Sequence, residues 1–132
     1  MSARWLSGLL VTVVLTLEAA AANPETTSWS QKRHFRATYV SSPAPVPLLT
    51  VHSWTVTVVD ADENPVTDAR IMVLGAMPEH EHGLPTLPQV KNLGGGRYLI
   101  EGLKFHMPGA WIVALRIKSG GVTDSVRFEL AL

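Results

Sequence analysis

The segment AMPEHEHGLPTLP, residues 76–88, gathers one thioether, two imidazoles, two carboxylates and three prolines in one short stretch. Met77, His80 and His82 are donors that hold soft or borderline metal ions, and imidazole combined with thioether suits copper, Cu(I) in particular. Glu79 and Glu81 stand beside the histidines, placed to orient the imidazoles as outer acceptors or to bind a harder ion themselves. A second segment, FHMPG at 105–109, carries His106 and Met107. A His-x-His pair alone is more often a solvated loop than a metal site. The chemistry therefore depends on whether the fold brings the two segments together. Pro78, Pro85 and Pro88 help, because they reduce the freedom a loop loses on ordering around an ion.

The elements that must position these residues read as strands. In VHSWTVTVV, His52, Trp54, Val56 and Val58 alternate with Ser53, Thr55 and Thr57, a period of two. The same period recurs in 69–75, where Ala69, Ile71 and Val73 face inward, and in 97–103, where Tyr98 and Ile100 do. It recurs again in 110–118 (Trp111, Val113, Leu115, Ile117) and in 122–130 (Val126, Phe128, Leu130). A shorter extended piece falls near 88–92, and Lys32 to Val40 offers a first strand through Phe35 and Ala37. SSPAPVP at 41–47 is no helix, since its prolines fix φ and remove donors. Asp60 to Val66, Gly94 to Gly96 and Ser119-Gly120-Gly121 are turns. No segment after the N-terminus shows helical spacing. About seven short strands with turn signals between them predict an all-β, immunoglobulin-like antiparallel β-sandwich.

That layout carries a consequence for the donors. In an antiparallel meander or Greek key, successive connections fall at alternating ends. The connections at 60–68, 93–96 and 119–121 then share one pole. The approach to His52, the 76–88 loop and the 104–109 loop share the other. Met77, His80, His82, His106 and Met107 are predicted to converge there, with His52 at the rim. For His52 a second reading stands beside ligation: a half-buried histidine capping the core near Trp54. His34 lies outside the cluster.

Other signals exclude more than they suggest. There is no cysteine, so disulfides, thiolate metal sites and thiol nucleophiles are absent. Formal charge is zero, which gives no support for nucleic-acid binding or for attraction to an anionic membrane. Asp60 to Asn64 resembles the start of a calcium loop, but Pro65 stands where glycine is needed and Ile71 where the bidentate glutamate is needed. No helix follows Gly96 to bind phosphate, and neither a nucleophile elbow nor a His-Glu-x-x-His helix occurs. The chain is therefore not read as an enzyme.

The N-terminus carries Arg4, an apolar run from Trp5 to Leu17, and small residues from Ala19 to Ala22. The run is shorter than the roughly 20 residues of a spanning helix. It predicts a secretory signal peptide over 1–22, cleaved before Asn23. An uncleaved anchor would tether the same domain on the same side of the membrane. Residues 23–47 read as an extended, proline-containing segment holding the first strand, and 48–132 as the sandwich domain.

Met77-Pro78-Glu79-His80-Glu81-His82-Gly83, then GGGRYLIEGLKFHMPGAW, preceded by HSWTVTVVDADENPVTDARI, resembles the YtkA-like domain family, related to the FixH group of envelope proteins. The likeness covers about residues 48–118 well and the final strand loosely. It implies an immunoglobulin-like sandwich outside the cytoplasm of a bacterium, in the periplasm or beyond. Relatives are linked with heavy-metal efflux or copper delivery to terminal oxidases, which implies an efflux or oxidase-assembly envelope protein as partner. Two functions follow as expectations. One is an exported, non-enzymatic copper-binding module acting in sequestration, efflux or delivery. The other is a metal-free interaction module of an envelope complex.

Overall fold

The structure, a computed structural model, describes residues 25–132. The expected signal peptide and its cleavage site lie outside the described residues. Two antiparallel sheets face each other. The first contains β1 (Glu25–Trp29), β2 (Phe35–Ser42), β3 (His52–Asp60), β7 (Arg97–Leu103) and β6 (Gln89–Gly94), in the order β1-β2-β3-β7-β6. The second contains β5 (His82–Gly83), β4 (Arg70–Met77), β8 (Ala110–Ser119) and β9 (Val122–Ala131), in the order β5-β4-β8-β9. Setting aside β1 and the two-residue β5, the order is β2-β3-β7-β6 against β4-β8-β9. That is the four-plus-three arrangement of the immunoglobulin sandwich. The expected all-β immunoglobulin-like fold is present, with nine strands among the described residues in place of about seven.

Period two builds the core. Trp54, Val56 and Val58 of β3, Tyr98 and Ile100 of β7, and Val113, Leu115 and Ile117 of β8 are all fully buried. Tyr39 stacks on Trp54 with ring centres 3.8 Å apart, and Phe128 meets both edge-on at 4.9 and 6.0 Å. Edge-to-face and offset contacts of this kind add to what area burial alone supplies. Ala69, Ile71 and Val73 are only half-buried against this core. The reason is positional: the outer side of β4 is an edge for most of its length, because β5 pairs with it only through Ala76↔Gly83 and Met77↔His82.

Two elements differ from the sequence expectation. The sequence places the first strand at Lys32 to Val40, but Glu25–Trp29 forms an earlier strand, β1, that pairs along its length with β2. Its alternation is weak because a sheet-edge strand is held by backbone bonds and not by an apolar face. Residues 25–47, read as a segment leading into the domain, supply two strands of the first sheet, and Phe35, Ala37 and Tyr39 enter the core. Within 76–88, the expected single loop is a hairpin followed by a bend, since His82–Gly83 returns alongside β4.

The turns fall as their chemistry demands. Gly95 and Gly96 (φ 64° and 82°) and Gly120 and Gly121 (φ 57° and 76°) fill two-residue hairpin loops, which require positive φ at both positions. The Asp60 carboxylate accepts from the N–H groups of Asp62 and Asn64, an Asx turn and not a calcium loop. The poles separate as the parity argument requires. Asn92 donates to the Thr67 carbonyl and Ser119 donates to Asp68 at one end. At the other, the Leu49 N–H donates to the Phe105 carbonyl.

Candidate metal centre

The first donor-bearing segment is a tight hairpin. Pro78 sits at the second position of a turn closed by the His80 N–H on the Met77 carbonyl (3.1 Å). Proline there is favoured because its φ is already set. Glu81 then takes a left-handed conformation (φ 53°) that reverses the chain and brings His82 into register opposite Met77. His80 and His82 both end up exposed, with ring centres 6.2 Å apart and nearly parallel. Glu79 and Glu81 are exposed as well, and neither carboxylate hydrogen-bonds an imidazole.

The second segment is rigid. The indole N–H of Trp111 donates to the Met107 carbonyl at 2.9 Å, closing residues 107–111 over the ring. Gly109 exchanges two backbone bonds with Leu132 (2.6 and 2.9 Å), which ties the loop to the end of β9. Gly109 has φ 131°, and a methyl group there would stand 3.0 Å from the Met77 methyl. Met77 thus passes under the second loop and links the two segments from below.

The five expected donors do not share one environment. His80, His82 and His106 are drawn together: the His82 and His106 rings lie 5.8 Å apart, edge to face. His106 in turn packs on Trp111 at 5.6 Å. Its Nδ1 is buried without a hydrogen-bond partner, so packing holds the ring. Met107 is half-buried against the core. Met77 is 1% exposed, so its thioether belongs to the floor beneath the loops and not to the solvent-facing group. Among the described residues, no three His, Asp or Glu side chains are gathered closely enough to hold an ion as they stand. Two imidazoles sharing one ion through bonds of about 2.0–2.1 Å have ring centres about 5–6.5 Å apart. The successive spacings of 6.2 and 5.8 Å fall in that range, with His82 in the middle.

His52 and His34 stand apart, each bonded through Nδ1, while the buried Nε2 of His52 has no partner. His52 is 5% exposed and packs on Phe105. Its Nδ1 donates to the Thr50 carbonyl at 2.9 Å, and burial pushes its pKa below the ordinary histidine value although that carbonyl opposes the shift. It is the core-capping histidine of the two readings. His34 pairs with Asp124 (3.2 Å) at the opposite pole. Sequence reasoning missed Asp124. It is 5% exposed and also accepts from the Lys32 and His34 N–H groups. Its only sequence signal is an acidic residue at an inward position of β9.

A family model described as YtkA-like matches residues 30–116. The chain belongs to the YtkA-like family. The matched span begins before Phe35, takes in β2 to β7 and most of β8, and contains both donor-bearing segments of this YtkA-like domain. Comparison with curated proteins gave no match. Among solved structures the ZirS C-terminal domain is similar at 15% identity, covering 100% of this chain and 87% of that one, with a TM-score of 0.37.

Proposed function

We propose that this YtkA-like domain is an exported, non-catalytic copper-binding module, holding Cu(I) at the pole through His80, His82 and His106 with Met107 as thioether donor. One observation carries the reading. Three imidazoles from two separate segments stand in succession at 6.2 and 5.8 Å, and none of the three hydrogen-bonds to protein, whereas His34 and His52 are each committed to a partner. The Nδ1 of His106 is buried without a partner, as is the Nε2 of His52, so what distinguishes His106 is its place beside His82. Exposed side chains change rotamer in picoseconds to nanoseconds. His80 and His82 therefore need only side-chain rotation to close on an ion beside the fixed His106. Imidazole and thioether in the absence of thiolate favour Cu(I) over hard cations. Exposed donors at the tip of the sandwich suit sequestration, efflux or hand-over to an envelope partner.

The test is titration of the protein with Cu(I) and Ag(I) under chelator competition, beside a His80→Ala/His82→Ala variant. Removing two ligands is expected to weaken binding by more than the roughly 10–100-fold that loss of an outer-shell partner costs. Equal, weak binding in both proteins would remove the proposal.

A further inference from the structure

A second surface lies on the outer face of the β5-β4-β8-β9 sheet. Because β4 alternates, Arg70, Met72 and Leu74 point outward, and Met72 and Leu74 are 56% and 54% exposed. The register sets Arg70 opposite Lys118 and Met72 opposite Arg116. Like charges directly opposite one another destabilise a sheet. No acid relieves them: the ion pairs among the described residues engage His34, Arg36 and Lys91 only. Arg70, Arg116 and Lys118 instead line one shallow depression of about 260 Å³ with Met72 and Thr123. Arg127 lies farther along the same face, beside Ala114. The chain as a whole is neutral, so this concentration of positive charge is local.

The edge beside it is open. From Arg70 to Leu74, β4 has no strand partner on its outer side among the described residues. An unpaired edge presents a row of N–H and C=O groups that another strand can match. A lone charge blunts such an edge; three unpaired cations around an exposed thioether instead favour an occupant of opposite sign. A second copy of the chain would bring the same cations against them. Lipid headgroups would answer the charge but offer no backbone ladder for β4.

We propose that the free edge and outer face of β4 dock an extended, acidic segment of a partner protein. The segment adds to the sheet as a strand. Its acidic side chains, alternating onto the outer face, meet Arg70, Arg116 and Lys118, and its apolar ones turn to the inner face beside the half-buried Ile71 and Val73. This surface is independent of the metal pole, and its test needs no metal.

Two extended peptides, one alternating Glu and Leu and the other alternating Lys and Leu, would be titrated into isotope-labelled protein and followed by amide NMR. An Arg116→Glu/Lys118→Glu variant would be run in parallel, with vesicles of anionic lipid as a separate arm. The Glu–Leu peptide is expected to shift the amides of residues 70–75 and 116–118, and to bind at least about tenfold more weakly to the variant and at high salt, where exposed charges are screened. The Lys–Leu peptide is expected not to bind. Equal binding of both peptides, shifts confined to other strands, or binding to vesicles without binding to the acidic peptide would each overturn the proposal.

Discussion

Replacing Trp111 with alanine is expected to cost about 3–5 kcal/mol of stability, the range for large aromatic truncations in a core. Trp111 is 1% exposed and packs between Phe105 (5.2 Å) and His106 (5.6 Å). At about 4–8 °C per kcal/mol for a domain of this size, the midpoint of thermal unfolding should fall by tens of degrees. The same change removes the strut from its indole N–H to the Met107 carbonyl, so the His106 loop loses its fixed geometry as well. Trp111→Phe separates the two effects. It keeps most of the packing but deletes one hydrogen bond, at a cost of about 1 kcal/mol. Trp111→Phe is expected to unfold cooperatively near the parent temperature while binding Cu(I) more weakly. Thermal unfolding by circular dichroism, read beside the copper titration, checks both.

Stability should also fall with acid in two separate steps. The lower step belongs to Asp124. Burial is the largest single effect on this carboxyl and raises its pKa. It is outweighed by hydrogen bonds from the Ser30 hydroxyl and from the N–H groups of Ser125, Lys32 and His34, which hold it at about 2. A depressed carboxyl pKa means the folded state binds fewer protons than the unfolded chain. The contribution is therefore fully present above the ordinary value of 3.8 and lost as pH falls through about 2. A shift of that size corresponds to about 2 kcal/mol. The upper step belongs to His52, whose lowered pKa also leaves the folded state with fewer protons, so its contribution declines as pH falls below 6.5. Urea unfolding at a series of pH values should show both steps. Asp124→Asn should erase the lower one and lower stability at neutral pH, because the Lys32 and His34 amides lose a charged acceptor. His52→Phe should erase the upper one.

The fold was legible because period two is a strong signal wherever one face is buried. The inward residues of β3, β7, β8 and β9 are read directly from alternation, and the glycine pairs mark the hairpins. The convergence of the His82 and His106 segments followed from counting chain reversals, which needs only the number of strands between them. The illegible parts have physical reasons. The β1 strand is held by backbone bonds that leave no side-chain pattern. The two-residue β5 is too short to show a period, yet it sets His82 in register opposite Met77. Met77 and Met107 look equivalent in sequence, and only the register of β4 puts one under the loops. Asp124 is an ordinary acid until β9 places it against the turn that joins β1 to β2.

Imidazole nitrogen NMR of the protein loaded with Ag(I), a diamagnetic stand-in for Cu(I), addresses the copper site residue by residue. The ring nitrogens of His80, His82 and His106 are expected to shift together and saturate at one silver ion per chain, with His34 and His52 unmoved. Shifts confined to the exposed His80 and His82, with His106 unchanged or with further ions binding at similar strength, would contradict it.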